Sequence, residues 1–183
     1  MWINPSAFSD RVLETAPKRH HTGQVVDGDW DRETAPLSTL VKIRACELHW
    51  KHGVPWEETG VYEHMMELIA ERGSADGCRT FADVVARYDR LDAMFRQVRS
   101  EGQLRSRSEL QHRGFRAVGE VYVHVGRGPR LLFGNGGCHR LAAARAAGLE
   151  CIPAQLGVVH PEALNDWAKA VVRSTRRPAT PEQ

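Results

Sequence analysis

The pattern of apolar and polar positions divides the chain in two. In the first half the apolar residues recur at helical spacing. Leu40, Ile43, Arg44 and Leu48 share one face of a helix predicted over 37–51, and Gly53 and Pro55 stop it. Val61, Met65, Leu68 and Ile69 line a second helix over 59–72, which ends at Gly73. After a loop at 74–79, Thr80 and Asp83 have the spacing of a capping box. A long amphipathic helix follows over 81–100, with Phe81, Val84, Val85, Tyr88, Leu91, Phe95 and Val98 as its apolar positions and Gly102 as its end. Residues 1–36 show no such period and are expected to be irregular.

Past Gly102 the period shortens. Residues 103–115 are polar and basic. Residues 118–125 alternate, with Val121, Val123 and Val125 on one face of a strand and Glu120, Tyr122 and His124 on the other. That polar face fits a cleft and fits an exposed sheet surface equally well. A turn at 126–129 leads into a short strand over 130–133. An Ala-rich helix over 138–147 stops at Gly148, a strand covers 152–159, and a helix begun by Pro161 covers 161–173. Residues 174–183 have the composition of a frayed tail. Helices first and strands second make the fold class α+β.

Composition narrows the class further. At 42% hydrophobic and 26% charged residues, the chain can build a core. A net charge of +2 is too small to argue for nucleic-acid binding by itself. Cys46, Cys78, Cys138 and Cys151 show no paired spacing, so reduced thiols and a cytoplasmic location are expected. Arg11, Glu14, Lys18 and Arg19 interrupt any leader-like segment, and no apolar run approaches a membrane span.

The candidate chemistry concentrates in Phe133-Gly134-Asn135-Gly136-Gly137-Cys138-His139-Arg140. This run reads as strand, glycine loop and helix start. The three glycines permit a close backbone approach, and the helix start offers unpaired N–H groups and a positive dipole end that attract anions. Cys138, His139 and Arg140 place a thiol, an imidazole and a guanidinium in the first turn. Backbone N–H groups near Gly137 to His139 can donate to phosphate oxygens, Arg140 can form a bidentate fork, and His139 can add a donor, more strongly when charged. A dipole end contributes about 0.3–1 kcal/mol and each charge-assisted bond about 1.5–3 kcal/mol, enough together for micromolar nucleotide affinity. The alternative is a tight turn with Cys138 tucked inward and Arg140 on the surface.

Gly136-Gly137-Cys138-His139-Arg140, the Ala-rich Leu141 to Ala147, Gly148-Leu149 and Ile152-Pro153-Ala154 together resemble the ParB/sulfiredoxin superfamily, over about residues 118–160. The resemblance implies a small mixed sheet with a helical N-terminal region. It divides the chain into a mostly helical extension (1–80), a ParB/sulfiredoxin-like domain (81–173) and a tail (174–183). It implies that Asn135, Gly136, Gly137, Cys138, His139 and Arg140 hold the phosphates of ATP, ADP or CTP with Mg²⁺. The function implied is a nucleotide-dependent phosphotransferase or nucleotide hydrolase acting on a small-molecule or protein substrate. One alternative is an ATP-dependent sulfinic acid reductase, in which Cys138 attacks a sulfinic phosphoryl ester. Another is a non-catalytic, regulatory or DNA-associated binding module. The DNA-reading domain of ParB partition proteins has no counterpart in the two dozen residues after Val159, so DNA is not the favoured partner.

Three further groups are weighed on their residues. Asp27, Asp29 and Asp31 surround Trp30 in an acidic loop. Asp29 and Asp31 are the preferred pair to hold Mg²⁺ or to act as catalytic base, as a carboxylate does in related serine kinases; the alternative is a solvated turn with Trp30 packed inward. Cys46, His49 and His52 share a helical face, but no C-x-x-C pair accompanies them, so an ordinary helix is the expectation. Arg105, Arg107, His112, Arg113 and Arg116 read as a solvated basic loop, with a polyphosphate wall as the other use.

Overall fold

The computed structural model of the chain describes residues 1–13, 17–110, 119–128 and 130–166. His112, Arg113 and Arg116, the tail, and residues 167–173 of the last expected helix lie outside the described residues. The fold is α+β: helices accompany a mixed six-stranded sheet. Two compact units interleave along the chain, whereas the sequence reading expects a boundary at residue 80. The described parts of Met1–Pro36, Arg105–Gly137 and Glu150–Gln183 form the sheet unit; Leu37–Leu104 and Cys138–Leu149 form the helical unit.

The sheet unit holds β1 (Trp2–Ile3), β2 (Asp10–Val12), β3 (Thr34–Pro36), β4 (Val121–Val125), β5 (Leu131–Gly136) and β6 (Ile152–Val159), in the spatial order β1-β6-β4-β5-β2-β3. Three of these strands come from residues 1–36, where irregular chain is expected. They are two or three residues long, too short for a period of two to show, and Pro36 is the last residue of β3. β4 is central, antiparallel to β5 and parallel to β6.

All five residues of β4 are buried, so neither face is solvated. Val125 packs with Val159 and Ala163. On the other face Tyr122 and His124 lie 4.9 Å apart, with Trp30 at 5.5 Å from His124. The neighbouring strands accommodate these rings by having no side chain there. A Cβ on Gly134 would collide with Tyr122 and stand 2.7 Å from His124 Nε2; one on Gly157 would collide with His124 Nδ1. Two polar atoms of the rings are paired. His124 Nδ1 accepts from the Val158 N–H at 3.0 Å, and the Tyr122 hydroxyl bonds Thr22 Oγ1 at 2.9 Å. Burying one such side chain contributes about 1.5–3 kcal/mol.

The helical unit holds α1 (Val41–His52), α2 (Val61–Arg72), α3 (Phe81–Glu101) and α5 (Cys138–Ala146); the short α4 (Arg107–Leu110) belongs to the sheet unit. The capping box at Thr80 and Asp83 forms in both directions. Cys46, Trp56, Tyr62, Met65, Tyr88 and Ala142 share one core. Phe81 departs from its expected inward face: it is 52% exposed at the first position of α3, edge-on to Tyr62. Asp92 gathers the indoles, accepting from Trp50 Nε1 at 2.8 Å and Trp56 Nε1 at 3.0 Å, with His49 Nε2 at 3.3 Å. His49 is therefore occupied structurally, and no group of three or more metal-ligating side chains occurs among the described residues. No helix among them is long and apolar enough to cross a membrane.

The ring-on-glycine arrangement makes a prediction. Gly157→Ala needs no unusual backbone, yet it pushes a methyl group into the His124 ring, and overpacking of this kind costs about 1–3 kcal/mol. Urea denaturation should show a lower midpoint at unchanged slope. A midpoint equal to that of the parent protein would mean that the ring does not rest there.

Candidate functional site

The glycine run is folded partly by its own neighbours. Tyr122 pairs with Gly136 and Val123 with Phe133, which leaves Gly134 and Asn135 as a bulge in β5. Asn135 adopts φ 58°, and its side-chain amide donates to the Val12 carbonyl at 2.9 Å. That amide clips β5 to β2, a structural task where a phosphate contact is expected. The Arg19 guanidinium lies against Gly136, in the space a Cβ would fill. Gly137 has φ 77°, and a Cβ there would stand 2.6 Å from the Glu120 carbonyl oxygen. What the glycines approach closely is, first of all, this protein's own chain.

α5 begins at Cys138, as the sequence predicts. Cys138 is half-buried, and its neighbours are further inside: His139 is 9% and Arg140 7% exposed. Burial, reinforced by the Arg87 and Lys42 charges against Asp76, holds the His139 imidazole well below its ordinary pKa. His139 is thus neutral at pH 7, which leaves the weaker, uncharged form of the donor. Its ring meets Tyr88 edge-on at 5.8 Å. His139 Nε2, the Tyr88 hydroxyl and Arg87 Nε are all buried without a hydrogen-bond partner. Leaving such an atom unsatisfied costs about 1–3 kcal/mol, so each calls for a partner oxygen from water or a ligand. Lys42 bonds Asp76 at 2.7 Å, and Arg87 reaches Asp76 at 3.4 Å, which sets two cations near the imidazole. On α1, burial and then the charge of Cys138 push the Cys46 thiol up, so Cys46 is inert.

The acidic loop has a different task. Asp31 is 6% exposed and accepts from the Arg127 backbone N–H at 2.7 Å and from Arg127 Nη1 at 2.6 Å. Arg127 Nη2 donates to Asp29 at 3.0 Å and to the Gly28 carbonyl at 2.9 Å, and Nε donates to Glu162 at 3.2 Å. Against the cost of desolvation, the Glu162 hydrogen bond and the Asp31, Glu162 and Asp29 charges raise the guanidinium above its ordinary pKa. Both preferred carboxylates are thus occupied by one arginine, which does not fit a Mg²⁺ site. Their place also separates them from the glycine loop. Arg127 sits in the turn between β4 and β5, whereas Gly136 is the far end of β5, roughly 15 Å away at strand rise.

A pocket of about 410 Å³ opens beside this loop, lined in part by His21, Val26, Asp27, Asp29, Trp30 and Glu33. Its carboxylates disfavour a phosphate there. Of the expected site residues, the structure joins Cys138, His139 and Arg140 in one helical turn. It gives Asn135 a structural bond and sends Asp29 and Asp31 to the opposite end of the strand. Sequence reasoning missed Arg19, Tyr88 and Arg127. Arg19 and Arg127 carry no local signal, being an arginine in aperiodic chain and one in a turn; Tyr88 was legible only as a core position.

Two buried imidazoles give stability a pH dependence. Burial lowers the His124 pKa to about 4, against about 6.5 unfolded. Between these values the unfolded chain binds the proton and the native one refuses it, so stability falls as pH drops from about 6.5 to 4, by about 3 kcal/mol for His124. His139 acts in the same direction. Thermal melts from pH 7 to pH 4.5 should show this loss, and His124→Asn should reduce it; an unchanged profile in the variant would refute the assignment. Comparison of the chain with protein-family models, curated proteins and solved structures gives no match in any of the three.

Proposed function

We propose that the protein binds a nucleotide (ATP, ADP or CTP) through its phosphates at the turn from Gly136 to Arg140, as the ParB/sulfiredoxin resemblance implies. The observation that supports this reading is the buried, unpartnered pair of His139 Nε2 and the Tyr88 hydroxyl at the first turn of α5. A phosphate oxygen accepts from a tyrosine hydroxyl and from a neutral imidazole N–H alike. The N–H groups of the first turn point the same requirement at an anion. Lys42 and Arg87, on the helices that pack in the same unit, add positive charge. A phosphotransferase or nucleotide hydrolase remains the activity proposed. This reading does not rely on Asp29 and Asp31 as base or metal ligands, since both carboxylates hold Arg127. The half-buried Cys138 favours a second reading, the sulfinic acid reductase, under which Cys138→Ser abolishes reduction while nucleotide binding persists.

Calorimetric titration with ATP, ADP and CTP, each with and without Mg²⁺, tests the proposal. Cys138→Asp is the informative variant. A carboxylate at the first helical position suits the dipole by about 0.3–1 kcal/mol and repels a phosphate. We expect at least tenfold weaker binding without a loss of melting temperature. Tyr88→Phe removes an unsatisfied hydroxyl and should raise the ligand-free melting temperature while lowering affinity. Asp31→Asn should leave affinity unchanged. Absence of binding to all three nucleotides, or Cys138→Asp binding like the parent, sinks the reading.

A further inference from the structure

Among the described residues of the helical unit, three side-chain atoms on α3 and α5 are buried without a hydrogen-bond partner: Arg87 Nε, the Tyr88 hydroxyl and His139 Nε2. Tyr88 is 0% and His139 9% exposed, and their rings meet edge-on at 5.8 Å. Beyond burial, the imidazole feels the charges of Arg87, Asp76 and Lys42, and the phenol those of Cys46, Arg87 and Asp76. The three atoms thus share one neighbourhood inside one compact unit.

Arg87 is the member that the motif at the start of α5 does not contain. Its guanidinium is held in place. Nη1 donates to the Asp76 carbonyl at 3.1 Å, and Nη2 reaches the Asp76 carboxylate at 3.4 Å. Lys42, on α1, donates to the same carboxylate at 2.7 Å. Asp76 is itself fixed by a tight turn: Ala75 and Cys78 exchange backbone hydrogen bonds at 3.0 and 2.9 Å, and Asp76 between them adopts φ 51°. Asp76 therefore engages both Nη atoms and leaves Nε over. The two cations exceed the one carboxylate by one positive charge while His139 is neutral. A single water has two lone pairs and no charge. A phosphoryl group has three strong acceptor oxygens and a negative charge, which match three donors beside a surplus cation.

We infer that Arg87 is a phosphate-binding residue: its Nε–H, the Tyr88 hydroxyl and the Nε2–H form of His139 donate to the oxygens of one phosphoryl group within the helical unit. The inference rests on the phosphate part of the proposed function. It adds a ligand residue from α3, and it makes the phosphoryl group sufficient for binding, with no nucleoside required.

The test is a titration of inorganic phosphate into the full chain, read at the arginine Nε–H signals by proton–nitrogen NMR. Arg87→Lys identifies the Arg87 signal by its loss. Phosphate should move that signal saturably in the parent protein. By calorimetry, Arg87→Lys and Tyr88→Phe should each bind phosphate at least tenfold more weakly. Lysine keeps the positive charge but has no donor at the Nε position, so a role in general charge attraction would leave Arg87→Lys close to the parent. In the double variant the loss should be smaller than the product of the two single losses, because both side chains meet one group. Losses that multiply would place them at separate sites and overturn the inference. Tyr88→Phe removes no hydrogen bond, so it and the parent's NMR signal decide the matter even where Arg87→Lys does not fold. Water alone at the three atoms would leave the Arg87 signal unmoved by phosphate, and the inference would fall. If nucleotides bind and the Arg87 signal stays still, the nucleotide reading stands and this inference falls. If phosphate moves the signal and ATP, ADP and CTP all fail to bind, this inference stands and the nucleotide reading falls.

Discussion

Much of the sheet unit depends on two rings lying flat against residues that have no side chains. Tyr122 and His124 project from the same face of β4, and Gly134, Gly136 and Gly157 flank them on β5 and β6. Were Gly134 or Gly157 an alanine, the rings would have to shift, and at Gly136 the Arg19 guanidinium and the Tyr122 Cβ would. Seated there, each ring can both bury its apolar edge and reach a hydrogen-bond partner, Thr22 for the phenol and the Val158 N–H for the imidazole. The segment before β3 then has a surface to lie on. Trp30 closes over His124 and His160, and Arg19 lies over Tyr122. Register in β5, the bulge at Asn135 and the place of Arg19 all follow from that one packing solution.

This changes what a glycine-rich run means. Glycines beside a helix start are commonly read as room left for a ligand. Here Gly134 and Gly136 are needed for side chains of the protein itself, and only Gly137 combines a left-handed backbone with the entry to a helix. Buried polar atoms without a partner lie instead at His139, in the first turn of α5, and at Tyr88 beside it.

The helical unit was legible because its signals are local. Three or four turns of periodic apolar residues, a capping box at Thr80 and stops at Gly53, Gly73 and Gly102 mark α1, α2 and α3 to within two residues at most ends, the start of α1 excepted. β6 and α5 were legible for the same reason. The strands of residues 1–36 were not, because a strand of two or three residues is defined by its partner, and β1 pairs with residues 152 and 153. The candidate site divides along the same line. Cys138, His139 and Arg140 are neighbours in sequence and so were found together. That Asp31 meets Arg127, and that Arg19 meets Tyr122, are long-range facts with no local trace. The charge state of His139 was not legible, because burial, which outweighs its neighbours, is not written in the motif.

The interleaving of the two units bears on how the chain comes into being. The chain passes from one unit to the other after Pro36, Leu104, Gly137 and Leu149. A growing chain on the ribosome can assemble α1, α2 and α3 as soon as residue 104 has emerged, since their contacts are close in sequence. The sheet must wait. β1 leaves the ribosome first, yet its partner β6 is complete only with Val159. Until then the edge of β1 lacks its partner strand, and the face of the rings toward Gly157 is uncovered.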